Sequence, residues 1–296
     1  MRMVVTGREG QIVRSLAERA SGTDIEIIAL GRPQFDLAGS RGDIVAAIIG
    51  ARPEVIVSAA AYTNVDKAET DRDLAFAVNE RGPRAVAGAA RETGVPLIHL
   101  STDYVFDGLN PTPYVEEDPT RPSGIYGASK LAGEQAVLAE HANTVVLRTA
   151  WVYSPFGANF VKTMLRLAGD REEVGVVADQ FGNPSSALDI ADGIISVARN
   201  LVASGDEAQR GIFHMAGAGE ATWADFAEGI FASSLSFGGP TAIVRRIGTS
   251  DYPTPARRPA NSRLDCKKLA RVHGVELPDW HNSVDQVVGK LVQLAK

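Results

Sequence analysis

Through its first half the chain alternates short β-branched runs with longer stretches of helical character. Met3 to Thr6, Ile25 to Ala29, Val55 to Ser58, Leu97 to Ser101 and Thr144 to Leu147 read as strands. The segments near 11–21, 40–51, 71–93 and 126–141 read as helices. Strand–helix alternation of this kind implies a parallel sheet, because each crossover lays a helix on one face. Sheets so built bind ligands beyond the carboxyl ends of their strands. The second half is less regular. It offers helices near 158–168, 187–203 and 222–234, a strand from Ile212 to Met215, a Pro- and Arg-rich stretch after Pro240, and a terminal helix near 281–295. With no internal repeat and no low-complexity linker, it reads as a smaller lobe packed on the first.

The first β-to-α connection is Thr6-Gly7-Arg8-Glu9-Gly10-Gln11-Ile12. Glycines there let a backbone approach a pyrophosphate, and the following helix N-terminus supplies N–H groups and a favourable dipole. Gly7 and Gly10 are therefore candidate cofactor contacts. Val13 stands at the usual third glycine position, where it is expected to crowd the helix slightly against the strand. The expected class is α/β, a Rossmann-like doubly wound parallel sheet with a smaller C-terminal substrate-binding lobe. Residues 1–150, with a later contribution from about 185–215, form the dinucleotide-binding domain in this reading, and 151–296 form mainly the substrate lobe. No acidic residue stands directly at the end of the second strand to meet a ribose 2′-hydroxyl. Arg32 is placed to meet a 2′-phosphate instead, which favours NADPH and leaves NADH open; Asp36 and Leu37 follow beside the adenosine.

Tyr126-Gly-Ala-Ser-Lys130 sets a phenol and an ammonium one helical turn apart on one face. A free tyrosine titrates near pH ~10, and a fixed positive charge nearby draws that value towards the range a general acid needs. Ser101-Thr102-Asp103-Tyr104 closes the fourth strand, so the Thr102 hydroxyl is placed to hold a substrate carbonyl beside Tyr126. Read alone, the Tyr–Lys spacing also fits an ordinary amphipathic helix, and Thr102 an ordinary strand end.

With 296 residues, 45% hydrophobic and 22% charged, the chain has the composition of a globular protein with a substantial core. No apolar run nears the roughly 20 residues needed to span a bilayer, so no membrane is expected. The start runs straight into a β-like segment without a signal-peptide core. Cys266 is the only cysteine, which excludes an intrachain disulfide and a thiolate cluster and suits the cytoplasm. A net charge of −6 argues against nucleic-acid binding while leaving room for local arginines to hold an anion.

Several further runs carry a resemblance across nearly the whole length. They are Ala59-Ala60-Ala61-Tyr62-Thr63-Asn64-Val65-Asp66, Arg148-Thr149-Ala150-Trp151-Val152-Tyr153, Asn159-Phe160-Val161-Lys162, Asp179-Gln180-Phe181-Gly182-Asn183-Pro184 and Tyr252-Pro253-Thr254-Pro255-Ala256-Arg257-Arg258-Pro259. With the glycine turn and Tyr126 to Glu134, the chain resembles the extended short-chain dehydrogenase/reductase superfamily, and within it the dTDP-4-dehydrorhamnose reductase family. That resemblance implies NAD(P)H-dependent reduction of a dTDP-linked 4-keto-6-deoxy sugar, with Thr102, Tyr126 and Lys130 as the catalytic set. It implies Gly10, Gln11, Ile12, Asp36, Leu37, Ala61, Tyr62 and Thr63 along the cofactor, with Lys130 on the nicotinamide ribose. It implies Trp151 at the substrate, to which Thr102 and Asp103 also belong. A diphosphate needs cations, and Arg257 and Arg258, with Arg263 nearby, are the candidates; carboxylate bridges are the competing role. No metal is expected, and the protein is expected to act as a monomer or homodimer. Two rivals stand beside this reading: a nucleotide-sugar epimerase or dehydratase of the same superfamily, and a noncatalytic relative of the methionine adenosyltransferase regulatory subunit.

Overall fold

A six-stranded parallel sheet forms the centre of the protein, built from the apolar runs of the first half. The structure, a computed structural model, describes residues 1–294. Strands β1 (Arg2–Thr6), β2 (Glu26–Leu30), β3 (Val55–Ser58), β4 (Leu97–Thr102) and β5 (Thr144–Thr149) alternate with helices α1 (Gln11–Ala20), α2 (Arg41–Gly50), α3 (Val65–Ala68), α4 (Arg72–Phe76), α5 (Gly82–Thr93) and α6 (Ile125–Glu140). The later chain adds β6 (Val152–Tyr153), α7 (Phe160–Asp170), β7 (Glu173–Val177), β8 (Phe181–Gly182), β9 (Ser185–Ser186), α8 (Ala187–Ala203) and β10 (Gly211–His214). It closes with β11 (Ala221–Thr222), α9 (Trp223–Ser236), β12 (Ile243–Ile247), α10 (Lys267–His273) and α11 (Trp280–Leu294). The expected terminal helix is present, and its expected last position, 295, lies outside the described residues.

The sheet order is β10-β5-β4-β3-β1-β2, parallel throughout. Central strands covered on both faces must be apolar on both, and β3 and β4 are buried along their whole lengths. Successive side chains of β1 divide between the two cores. Met3 and Val5 join Val13 and Leu16 of α1 and Ile190, Ile194 and Val197 of α8 on one face. Val4 joins Ile44 and Ile48 of α2 and Ala85 to Ala90 of α5 on the other. The chain leaves β1 towards β2 on one side and returns to β3 on the other, so the strand order reverses between β1 and β3. A crevice opens at such a reversal.

A second core belongs to the later chain, where Val161, Met164, Val174, Val176, Phe226, Ile230, Val284 and Val288 pack together. Its β7 and β12 pair in parallel although 70 residues of sequence separate Glu173 from Ile243. Neither strand was expected. β7 is only five residues long, and β12 does not alternate: it is exposed at three of its five positions, so its Ile-Val-Arg-Arg-Ile reads as solvated chain. The expected helix over 71–93 is also divided. A π-helical turn, Ala77–Arg81, separates α4 from α5. Pro83 opens α5 without an N–H to donate, and Leu37 crowds Gly82, so the α pattern widens there by a residue. No helix among the described residues is long and apolar enough to cross a membrane.

Candidate active site

The crevice between β1 and β3 is built around the first glycine turn. Gly7 has φ +103°, and a Cβ there would sit 3.2 Å from Val13 Cγ2 and 3.5 Å from Ala60 Cβ. The conformation and the space both require glycine. Val13 does not crowd the strand; it is buried in the core, its methyl filling the room that Gly7 leaves. Gly10 caps α1 with no side-chain hydrogen bond, and a Cβ there would meet nothing within 4 Å. Gln11 turns its side chain to the other lobe: Oε1 accepts from Ser154 Oγ at 2.8 Å and Asn159 Nδ2 at 3.2 Å. Ile12 packs against the core below.

Across the crevice, the Ala59–Thr63 loop is held from two directions. Thr6 Oγ1 accepts from the backbone N–H groups of Ala59 and Ala60, each at 3.0 Å. Fully buried Asn79, in the π turn, accepts from Tyr62 N at 2.8 Å and donates to Tyr62 O at 3.1 Å and Ser129 Oγ at 2.9 Å. Asn79 thereby ties the loop carrying Ala61, Tyr62 and Thr63 to the helix carrying Tyr126 and Lys130. At the end of β2, Arg32 and Asp36 are exposed, whereas Leu37 is buried in the core beneath. Arg8 was not singled out, yet it crosses this strand end and donates to Gln34 Oε1 at 3.3 Å, putting a second guanidinium beside Arg32's loop.

At the carboxyl end of β4, α6 brings its Tyr126 face onto the Thr102–Tyr104 turn. Gly127 allows this approach, since a side chain there would collide with the Tyr104 carbonyl. Tyr126 and Tyr104 meet edge to face with ring centroids 5.6 Å apart. Burial pushes the Tyr126 phenol well above its ordinary value; the neighbouring Thr102 hydroxyl opposes this, and Asp103 and Tyr104 add to it. Lys130 is 3% exposed and donates from Nζ to the Leu100 carbonyl at 2.6 Å. Burial pulls its ammonium down to about 8, against the upward pull of Glu134. The expected acidification of the phenol by this lysine is therefore corrected. The ammonium is aimed at the β4 backbone and is no cause of the tyrosine's shift, which runs the other way.

One turn beyond Lys130 on the same face stands Glu134, which sequence reasoning left without a role although its i+4 spacing is visible. It is 1% exposed and receives Ser101 Oγ at 2.5 Å, Arg148 Nε at 2.9 Å and Arg148 Nη2 at 2.7 Å. Arg148 also lies over the Phe106 ring, 5.0 Å from its centroid. This buried ion pair forms the floor under Tyr126 and Lys130. Asp103, expected at the substrate, is 2% exposed, and its Oδ1 takes the Thr102 proton at 2.8 Å.

The second lobe contributes a cleft of about 430 Å³ lined by Asp107, Gln180, Tyr252, Thr254, Arg257 and Arg258. Arg258 is engaged: Nη2 bonds Asp66 Oδ2 at 2.7 Å, and Ala256 N bonds Asp66 Oδ1 at 3.1 Å, strapping the Pro-rich segment to α3. Arg263 is spent on Glu220 at 2.7 Å and on the Pro111 carbonyl at 2.6 Å. Arg257 is exposed at the cleft and pairs with no carboxylate among the described residues, which leaves it the available cation. Half-buried Trp151 has φ +46°, stacks on Trp223 with centroids 3.5 Å apart, and donates from Nε1 to Ser262 Oγ at 3.1 Å. A non-glycine residue held at positive φ costs on the order of 1–3 kcal/mol and recurs at functional sites.

The family model described as the RmlD substrate binding domain matches residues 1–293. A dTDP-4-dehydrorhamnose reductase of Sinorhizobium fredii is 52% identical over 292 residues, covering 99% of this chain and 98% of the relative. The crystal structure of a dTDP-4-dehydrorhamnose reductase from Clostridium acetobutylicum superposes with a TM-score of 0.91 at 34% identity, over 99% of this chain and 100% of that one. That of the Bacillus anthracis dTDP-4-dehydrorhamnose reductase, in complex with NADP, does so with a TM-score of 0.88 at 34% identity, over 97% and 98%. The chain belongs to the RmlD substrate binding domain family, alongside these dTDP-4-dehydrorhamnose reductases.

Proposed function

We infer that this protein reduces dTDP-4-dehydro-6-deoxy-L-mannose to dTDP-L-rhamnose with NADPH, NADH being an alternative donor. The observation that carries this reading is the Thr102, Tyr126 and Lys130 cluster at the end of β4, in a chain alike over its full length to enzymes of that name. The residues suit a dinucleotide: a glycine at φ +103°, a helix N-terminus without a side-chain cap, and a buried ammonium with two N–H groups beyond the one given to Leu100. Arg8 and Arg32 at the end of β2 favour the 2′-phosphate.

The bound dihydronicotinamide supplies a hydride to the C4 carbonyl carbon. Tyr126 supplies the proton, so the ketone takes up one hydride and one proton and becomes a secondary alcohol. Its raised pKa keeps the phenol protonated at neutral pH, and a developing alkoxide is a far stronger base than a phenolate. Thr102 holds the carbonyl oxygen and Lys130 the ribose hydroxyls. Arg257 takes the diphosphate, and Trp151 closes on the sugar. In this reading residues 1–150, with about 185–215, hold the dinucleotide and the chain from 151 onward mainly the sugar nucleotide. The protein works in the cytoplasm as a monomer or homodimer, with no nucleic-acid partner.

Replacing Tyr126 by Phe should lower turnover of the keto-sugar on the order of 10²–10⁴-fold while NADPH still binds. Near-normal turnover by that variant refutes the assignment. Oxidation of added NADPH in equal amount with product separates reduction from epimerisation, which oxidises no cofactor net.

A further inference from the structure

Thr102 has one proton to give, and the structure shows where it goes. Its Oγ1 donates to Asp103 Oδ1 at 2.8 Å and accepts from Tyr104 N at 3.2 Å. A hydroxyl donates once. While Asp103 is ionised, the donor needed to hold a carbonyl oxygen is committed to a carboxylate, and an ionised carboxylate is the stronger acceptor. Asp103 itself is poorly served: it is 2% exposed, and its Oδ2 is buried without a hydrogen-bond partner. Ser262 and the backbone N–H groups of Asp103 and Tyr104 lie close enough to favour the ionised form, but the Ser262 hydroxyl donates to Phe181 O at 3.2 Å and Tyr104 N to Thr102 Oγ1 at 3.2 Å. Burial dominates and pushes the carboxyl up to about 6.

The groups around it do not supply a counter-charge. Tyr104 on the same turn and Tyr126 on α6 are neutral phenols with raised values. The cations of the packed elements are engaged elsewhere. Lys130 of α6 bonds the Leu100 carbonyl, Arg148 of β5 bonds Glu134, and Arg258 of the Pro-rich strap bonds Asp66.

We propose that Asp103 is a positioning residue whose protonation turns the Thr102 hydroxyl from the carboxylate to the sugar carbonyl. The proposal rests on the reductase reading and deepens it. Neutral Asp103 donates its carboxyl proton to Thr102 Oγ1, and the Thr102 proton is then free for the ketone oxygen. Asp103 takes its proton from solvent before the carbonyl docks and keeps it through turnover; the proton that ends on the product oxygen still comes from Tyr126. Ionised Asp103 also raises the Tyr126 value, so its neutralisation makes that phenol a readier donor.

The test is the pH dependence of kcat from pH ~5 to ~9 with saturating keto-sugar, run separately with NADPH and NADH. A 2′-phosphate titrates near pH ~6, so only a limb seen with both donors belongs to the protein. The wild-type rate should fall about tenfold per pH unit above the ionisation of Asp103. In Asp103→Asn the amide donates to Thr102 at every pH, and the limb should disappear. Should that variant not fold, Thr102→Val serves: its residual turnover should show a much shallower limb, with only the effect on Tyr126 remaining. A flat wild-type profile overturns the proposal, as does an undiminished limb in a folded Asp103→Asn or Thr102→Val protein, while leaving the reductase reading intact. No turnover at any pH with either donor sinks both.

Discussion

Arg148 and Glu134 are 2% and 1% exposed and hold each other through two charge-assisted hydrogen bonds. Replacing Arg148 by Met keeps most of the stem and strands the carboxylate. Two bonds to a charged group are worth about 1.5–3 kcal/mol each, or about 3–6 kcal/mol together. Breaking a buried pair by removing one partner costs about 3–5 kcal/mol in comparable cases, and neither group is exposed enough for solvent to soften the loss. Loss of the guanidinium over Phe106 adds a smaller amount in the same direction. The expected loss is therefore about 4 kcal/mol, about a quarter or more of the stability of an ordinary domain.

Urea unfolding of the wild type, Arg148→Met and Glu134→Leu/Arg148→Met measures it. The double variant removes both charges and should recover at least half the loss, since apolar replacement of a whole buried pair is often close to neutral. The sign of the pH dependence is a second check. A stranded Glu134 has its folded pKa raised above the unfolded value of about 4.3, because burial disfavours the charged form. Its stabilising contribution is lost as pH rises through the folded value, so the deficit of Arg148→Met should shrink on going from pH ~8 to pH ~5. A single variant losing less than about 1 kcal/mol, or a double variant no more stable than the single, would refute the idea that this pair is the floor of the site.

Two further outcomes follow from the same accounting. Lys130 has a folded value of about 8, below the ordinary unfolded value of ~10.4, so burying it costs stability in full below pH ~8 and the cost fades as pH rises through ~10.4. Lys130→Met should accordingly be the more stable protein at pH ~7, by on the order of 1–3 kcal/mol, and thermal unfolding should show the gap closing by pH ~10.5; a variant less stable at pH ~7 contradicts this. Arg257→Ala should raise KM for the keto-sugar about 10–100-fold with a smaller change in kcat. Arg258→Ala should instead lower the melting temperature by releasing the strap on Asp66, and steady-state kinetics with thermal scans on both variants would expose the reverse assignment.

What the amino-acid order made readable is whatever repeats at short range. Val55-Ile56-Val57 declares a buried strand, Gly7 after β1 declares a tight glycine turn, and the spacing of Tyr126 and Lys130 declares a shared helical face; each depends on residues within one or two turns of each other. The partners of those groups are set by tertiary packing and were not readable. Arg257 and Arg258 are adjacent and identical, yet one is fixed by Asp66, 192 residues away, and the other is left to the cleft. β7 and β12 find each other across the second lobe although β7 is only five residues long and the half-solvated β12 carries little period-2 signal. The π turn that places Asn79 lies inside what reads as one uninterrupted helix.

The same limit explains why a spacing argument misjudged the lysine. Helical periodicity brings Lys130 to the same face as Tyr126, but a side chain with four methylenes chooses its acceptor from everything within reach, and the Leu100 carbonyl on β4 is nearer to its path. The charge on that face is then governed by Glu134, the next residue in the i+4 series, because it alone among the neighbours raises the lysine's value. Tyr126, Lys130 and Glu134 therefore form one ladder on α6, with the phenol at its top and the ion pair with Arg148 at its base. The phenol answers instead to its burial, to Thr102 at the end of β4 and to Asp103 just beyond it. The meeting of α6 with the end of β4, which Gly127 permits, is thus the contact that brings the phenol to the Thr102 hydroxyl.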